Sequence, residues 1–313
     1  MRTSRKCQNS MIKHQKTYRW ALALGIIVIT ALYPQNLRAQ SDDFGYELGI
    51  ESEIKLMSGL KLSLEAGMRT QDDAEKIDRY TVGAGLSYRL YQTSDKKLNV
   101  KANAGFDYMW TQKLTEQEVK YEDLYNDDDE WYGTRAKGYN ITDEYWRNRS
   151  RVNAGLSASY SPNKRWSFSL KETFQVNHYN AVDDISRTKV RIDYDEIDDP
   201  TQYYNTQLDV KDIDKLAHTS SADVTSRESA TRTVLRSRLG ASYDIKGLPI
   251  DLFAAVDYGC GLNYSTNKWK FSVGYDYKIN KTNTLTLQYR YNTEDDDDEA
   301  NGHLVGLSYK IEF

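Results

Sequence analysis

Arginine is the residue type whose spacing most clearly indicates chemistry in this chain. Arg236 and Arg238 stand two positions apart, so on an extended strand both side chains point to one face. Other arginines occupy polar positions of segments that alternate in the same way. If these segments close into a barrel, the arginines form a basic ring in its lumen, and such a ring selects anionic solutes. The predicted ring is Arg69, Arg79, Arg151, Arg236, Arg238 and Arg290.

The same arginines also fit a closed, ion-paired lumen. A barrel of about ten to twelve strands is narrow, and side chains fill much of such an interior. Carboxylates occupy other polar positions of the same segments and are available as partners: Glu47, Glu51, Glu53, Glu65, Asp107, Asp244, Asp257 and Asp276. The sequence therefore leaves two interpretations open, a narrow pore and a plugged barrel.

Histidine and acidic residues indicate no enzyme and no metal site. Three histidines lie at the same end of the alternating segments: His178, His218 and His303. Asp184 follows His178, and Ser220 and Ser221 follow His218, but the spacing of these residues matches no catalytic motif. The acidic runs at 126–130 and 294–299 lack the glycine turn and spaced ligands of an EF-hand loop. We predict no catalytic, cofactor-binding or metal-binding residues. The acidic runs are expected to be solvated and to share divalent cations with lipopolysaccharide phosphates.

The elements that position these side chains are strands with one apolar and one polar face. From Phe44 to Leu56 most even positions are apolar, whereas the odd positions carry glycine and charged residues. Ten more segments follow with this period, starting near residues 60, 79, 98, 146, 166, 232, 250, 268, 284 and 303. Most are 9–13 residues long, which suits a tilted strand crossing a membrane.

Aromatic residues and connection lengths favour a membrane barrel over a soluble one. The apolar faces end in tyrosine or tryptophan at both ends, as in the two aromatic girdles of a barrel in lipid. Short turns alternate with long polar segments at 71–78, 111–145, 181–230 and 292–302, whose summed net charge is −21. We predict an antiparallel transmembrane β-barrel with short periplasmic turns and long acidic extracellular loops.

The strand number and one carboxylate do not fit a simple barrel. Eleven segments would make segment 44–56 parallel to its neighbour at the closure, whereas bacterial barrels have even numbers. We therefore expect ten strands, without 44–56, or twelve. Glu172 falls among apolar positions, and we expect a β-bulge to turn it toward the basic lumen. Protonation and a contact with another subunit are the alternatives.

The first 39 residues are predicted to be a secretory signal peptide. A basic leader without acidic residues precedes a short apolar stretch and a small residue, Ala39. The barrel is then expected to span residues 40–313. No apolar run reaches the length of a membrane helix, and the pI near 5.7 argues against a nucleic-acid-binding protein that works by bulk charge.

Several stretches resemble a family of Gram-negative outer-membrane barrels known only as a domain of unknown function: residues 60–69, 146–174, 269–291 and 303–313. The resemblance implies the fold and the cell outer membrane, without an activity. The final strand ends in Phe313 with Tyr309 on the same face, which resembles the signal read by the barrel-assembly machinery. We predict a narrow porin or channel with a basic lumen. The alternatives are a closed structural or surface-binding barrel and, less favoured, a rim hydrolase.

Overall fold

The computed structural model describes residues 43–264, 267–294 and 302–313. The predicted signal peptide and most of the predicted loop 292–302 lie outside them. No helix in these three ranges is long and apolar enough to cross a membrane. The strands are β1 (Asp43–Met57), β2 (Leu60–Gln71), β3 (Lys76–Gln92), β4 (Leu98–Lys113), β5 (Glu116–Tyr125), β6 (Trp131–Thr142), β7 (Tyr145–Tyr160), β8 (Trp166–Tyr179), β9 (Val182–Ile192), β10 (His218–Arg227), β11 (Ala230–Asp244), β12 (Ile250–Gly261), β13 (Asn267–Lys278), β14 (Asn283–Glu294) and β15 (Gly302–Glu312).

Eleven of the strands in the described ranges form a closed barrel, in the order β1-β15-β14-β13-β12-β11-β8-β7-β4-β3-β2. Neighbours are antiparallel except at the closure, where β1 pairs with β15 in parallel. The predicted β-barrel of about ten to twelve strands is therefore confirmed, whereas the narrower expectation of either ten or twelve strands is wrong. When an odd number of strands alternates in direction, the first and the last strand run in the same direction where the barrel closes. Segment 44–56 is therefore an ordinary wall strand. The mitochondrial 19-stranded barrel is likewise odd-numbered.

Each of the eleven alternating segments recognised in the sequence is one wall strand. Predicted starts agree with the observed ones within about three residues, because the period of two is a property of the pleat itself. Short turns join the strands at one rim, the turn end. At the other rim, the loop end, the chain makes its long excursions.

The two longest predicted loops, 111–145 and 181–230, contain a second sheet of four strands in the order β10-β9-β6-β5. Only two residues separate each of these strands from a wall strand: β4 from β5, β6 from β7, β8 from β9 and β10 from β11. Since β4, β7, β8 and β11 are adjacent in the wall, the second sheet continues the wall strand by strand. We call residues 114–144 and 180–229 the outer lobe.

The outer lobe has its own small core. Residues 193–217, with two 3-10 helices and the short helix α1 (Val210–Ile213), supply Ile213, which is fully buried against Ala136 and Val190 of the sheet. The Tyr139 hydroxyl donates a 2.6 Å hydrogen bond to Asp214 Oδ1. This bond to a carboxylate raises the pKa of Tyr139 to about 12. The lobe is thus a packed unit, which the sequence analysis treated as loop.

Asp223 should make the edge of the outer lobe sensitive to acid. On β10 it lies against Lys189 Nζ at 2.6 Å and against Arg187, both on β9, and these cations hold its pKa below the usual range. Because the pKa of Asp223 is lower in the folded state, its ion pairs stabilise the fold at a pH above the ordinary aspartate pKa of about 3.9. This stabilisation is lost progressively as the pH falls below that value. We expect hydrogen exchange of β10 amides, corrected for intrinsic rates, to quicken below about pH 4. Asp223→Asn should remove this pH dependence; an unchanged profile would contradict the assignment.

The predicted bulge at Glu172 is wrong. On β8, Glu172 pairs with Leu156 of β7 and with Ser237 of β11 without a register shift on either side. Its side chain shares the outer face with Leu170 and Phe174, which are both exposed. Ser237 Oγ donates a 2.6 Å hydrogen bond to Glu172 Oε2. A neighbouring hydroxyl on the same outer face, rather than a distorted backbone, satisfies this carboxylate.

Replacing Glu172 by Leu should stabilise the barrel in lipid. The change removes a carboxylate from an apolar surface near mid-strand, and we expect the free energy of unfolding to rise by about 1 kcal/mol or more. Urea unfolding in lipid vesicles measures this. Gln175→Leu is the matched control, since Gln175 is on the same strand but lines the lumen. Lower stability of Glu172→Leu would show that the hydrogen bond from Ser237 contributes more than the exposure of the carboxylate to lipid costs.

Candidate functional site

The outer wall presents an apolar band between two levels of aromatic residues. Leu48, Ile50, Val152, Leu156 and Leu239 are each exposed by 46% or more. The turn end carries Tyr88, Tyr160 and Trp166, and the loop end carries Tyr80, Trp110, Trp146 and Trp269, all exposed. Neighbouring rings contact each other, as Trp166 and Tyr243 do at 4.8 Å between centroids. A barrel with this exterior is built to face lipid.

The functional interest lies in the lumen, which contains two adjoining cavities. The first, of about 440 Å³, extends toward the loop end, and the second, of about 330 Å³, toward the turn end. All six arginines of the predicted ring line the first cavity: Arg69, Arg79, Arg151, Arg236, Arg238 and Arg290. The fold thus brings together side chains from five strands: β2, β3, β7, β11 and β14.

Two ring arginines near the loop end share one buried carboxylate. Asp78 Oδ2 lies 2.8 Å from Nε of Arg69 and 2.8 Å from Nε of Arg79, and all three side chains are nearly inaccessible to solvent. Like charges at opposed positions of neighbouring strands repel, and Arg69 and Arg79 are such a pair. Asp78 offsets this repulsion and fixes both guanidinium groups against the wall.

The arginines of β11 share a second carboxylate deeper in the lumen. Asp257 Oδ1 lies 3.0 Å from Arg236 and Asp257 Oδ2 lies 3.9 Å from Arg238. Asp257 is almost fully buried, whereas the Arg238 side chain keeps 43% of its exposure. The two guanidinium groups outnumber the carboxylate, so this part of the wall is net positive.

The remaining two ring arginines contact acidic residues on the first strands of the barrel. Arg290 lies 2.7 Å from Glu47 Oε2 across the parallel closure. Arg151 Nε donates a 2.8 Å hydrogen bond to Asn177 Oδ1, and its guanidinium lies 3.9 Å from Asp107. Each predicted ring arginine therefore has a carboxylate within 4 Å.

Several basic residues of the lumen lie outside the predicted ring. Lys268 and Lys270 of β13 line the first cavity, and Lys171 of β8 lines the second. Their signal was available, since each occupies a polar position of an alternating segment. Near the loop end, Arg147, Arg149 and Arg232 surround the ring of Tyr179 at 5.2–5.4 Å from its centroid.

The three histidines occupy separate places. His178 lies near the end of β8, with Nδ1 3.0 Å from Thr231 Oγ1, whereas His218 begins β10 in the outer lobe. His303 is on β15 beside Tyr289. Ser220 and Ser221 belong to the sheet of the outer lobe, and Asp184 lies on β9. No group of three or more metal-binding side chains occurs in the part of the chain that the structure describes.

The C-terminal residues close the wall at the turn end. Phe313 is 73% exposed, and its backbone N–H donates a 2.8 Å hydrogen bond to the Glu53 carbonyl. The Tyr309 hydroxyl donates to Asn283 Oδ1 at 2.8 Å on the neighbouring strand. Both residues thus complete the seam that they share with β1 and β14.

Comparisons with known proteins return barrels of low similarity. The CymD monoaromatic hydrocarbon channel shares 10% identity, with a TM-score of 0.27 over 82% of this chain and 84% of that one. An anion-selective porin from Comamonas acidovorans shares 14% identity, with a TM-score of 0.21 over 83% of each chain. No family model and no curated protein matches this chain. At these values neither similarity supports a functional argument. A functional proposal therefore has to rest on the geometry of the lumen.

Proposed function

We propose that this protein is a narrow outer-membrane channel with a basic lumen that prefers anionic solutes. One observation carries the proposal: the two lumen cavities share Glu65, Asp107, Arg151, Gln175, Arg236, Arg238 and Asp257 as lining residues. Space for solvent therefore lies on both sides of the arginines of β11. Arginine at such a narrowing favours anions by electrostatics.

The proposed location and orientation follow from the two rims. The apolar band and the aromatic girdles support a lipid bilayer as the environment, and the short turns support a periplasmic turn end. The outer lobe is then extracellular, with its acidic segments available to lipopolysaccharide and its divalent cations.

Conductance of the purified protein in planar bilayers tests the proposal. We expect stable single-channel steps in KCl and a reversal potential of anion sign in a salt gradient. A folded barrel that gives no steps would overturn the channel. Folding is verified in parallel by the change in gel mobility on boiling.

A closed, surface-binding barrel is the second candidate. The observation that favours it is the ion pairing of each ring arginine with a carboxylate, which holds these side chains in the lumen. The packed outer lobe, with Tyr125 and Trp131 exposed, would then be the functional part. Silence in the bilayer with an intact fold would support this candidate. His178 and His303 lie on separate strands of the barrel and His218 lies in the outer lobe, so their positions give a rim hydrolase no support.

Deleting Phe313 should prevent insertion by the barrel-assembly machinery while leaving secretion intact. The residue follows β15 directly, and it is the most exposed large apolar residue among the described residues. We expect folded protein in the membrane fraction to fall several-fold, as measured by heat-modifiable gel mobility. Phe313→Tyr should retain insertion. Wild-type amounts of folded barrel after the deletion would contradict the role.

A further inference from the structure

The first lumen cavity has a row of carboxylates on one wall and a cluster of bases on the opposite wall. Glu51 of β1 stands directly opposite Glu65 of β2, Glu65 opposite Gly83 of β3, and Gly83 opposite Asp107 of β4. Three carboxylates thus form one cross-strand row, and all three line the cavity. We call Glu51, Glu65 and Asp107 the acidic row.

Gly83 explains how two of these carboxylates come together. A Cβ at this position would lie 2.6 Å from Asp107 Oδ1 and 2.8 Å from Glu65 Cγ. The two side chains therefore converge over the glycine from either side. Like charges at neighbouring cross-strand positions are unfavourable, so the acidic row gains from any cation that approaches it.

A basic patch lies across the cavity from the acidic row. Arg238 of β11 pairs with Asp257 of β12, which in turn pairs with Lys270 of β13. In the adjacent row, Arg236 of β11 pairs with Gly259 of β12, which pairs with Lys268 of β13. All of them line the same cavity. With four bases and one acid, the patch has a formal charge of +3, against −3 for the acidic row.

The positions of the strands make the separation transverse to the channel. In the order of the eleven wall strands formed by the described residues, β12 stands about halfway around the ring from β2 and β3. The acidic row and the basic patch are centred on these opposite positions. A solute at this level of the cavity therefore lies between the acidic row and the basic patch. On the acidic side, Arg151 lies 3.9 Å from Asp107 and Lys310 lies 3.7 Å from Glu51.

Resting on the proposed channel function, we infer that this cavity selects small zwitterionic solutes, which carry an ammonium and a carboxylate on one molecule. The carboxylate meets Arg236, Arg238 and the two lysines, and the ammonium meets the acidic row. A net-neutral molecule without separated charges makes neither contact, and a simple anion makes only the contact with the basic patch. The cavity of about 440 Å³ is large enough for an amino acid or a short peptide.

Liposome swelling with two isomers tests this inference. β-Alanine is a zwitterion and lactamide is its uncharged isomer, so size and net charge are matched. We expect β-alanine to enter proteoliposomes about threefold faster than lactamide or more. Glu65→Gln combined with Asp107→Asn should bring the β-alanine rate down to the lactamide rate and leave lactamide unchanged.

The controls separate failure of this inference from failure of the channel. Asp95→Asn, in the exposed turn between β3 and β4, should keep the ratio of the wild type. Equal rates for the two isomers in the wild type would overturn zwitterion selection while the channel stands. Exclusion of both isomers by a folded barrel would overturn the channel and the selection together.

Discussion

Reversing the charge of Arg236 and Arg238 should convert the lumen from anion preference to cation preference. The two guanidinium groups line both cavities, so an ion that passes from one cavity to the other passes them. Arg236→Glu with Arg238→Glu would place three carboxylates around this point, counting Asp257. In a tenfold KCl gradient a perfectly selective pore approaches about 59 mV, and we expect the reversal potential to change sign within that limit.

The matched control places the same change of charge outside the lumen. Lys164 and Arg165 are exposed in the turn between β7 and β8, and their replacement by Glu should leave the reversal potential unaltered. Arg236→Gln with Arg238→Gln should give an intermediate value if the charge itself is responsible. A conducting, folded double-Glu variant with the reversal potential of the wild type would show that ions take another path.

A single methyl group at Gly155 should prevent the barrel from folding stably. Gly155 lies on β7 opposite Thr173 of β8, and a Cβ there would lie 2.0 Å from the carbonyl oxygen of Glu172. The clashing atom belongs to the backbone of the paired strand, so the clash is relieved only if β7 and β8 move apart. We expect Gly155→Ala to cost about 3 kcal/mol or more, at or above the upper end for overpacking.

Gly259→Ala is the comparison for this prediction. Gly259 also faces the lumen, on β12, but a Cβ there would meet Val234 at an ordinary 3.5 Å. Urea midpoints in lipid vesicles should therefore be near wild type for Gly259→Ala and much lower for Gly155→Ala. Equal midpoints would mean that the β7–β8 pair adapts at no cost.

The candidate site was predictable in part from the sequence. Strand alternation placed all six ring arginines on the inner face, because side-chain direction in a strand depends only on odd or even position. Their carboxylate partners were named only as a pool of acidic residues. Asp78, which binds both Arg69 and Arg79, was absent from that pool, since it lay in a predicted loop. The inward direction of Asp78 depends on a shift in the register between β2 and β3, which occurs between Arg69 and Thr70.

Local patterns failed where neighbouring chain segments decide the outcome. Residues 114–144 and 180–229 are too polar to indicate strands, yet their strands pair because four adjacent wall strands hold them side by side. Glu172 seemed to need a bulge, but Ser237 on the next strand supplies a hydrogen bond. In both cases the stabilising partner lies on a different strand, which the period of two within one segment cannot identify.

By itself the sequence determined the two-faced wall segments, their approximate starts and the face of most side chains, because these follow from a period of two within each segment. Only the tertiary structure decided how the ring closes and which charges meet. Arg290 and Glu47 are 243 residues apart in the chain and form an ion pair because β1 joins β15 in parallel. The opposition of the acidic row and the basic patch has the same origin. It depends on strand order and register around the closed wall, and neither is written in the pattern of a single strand.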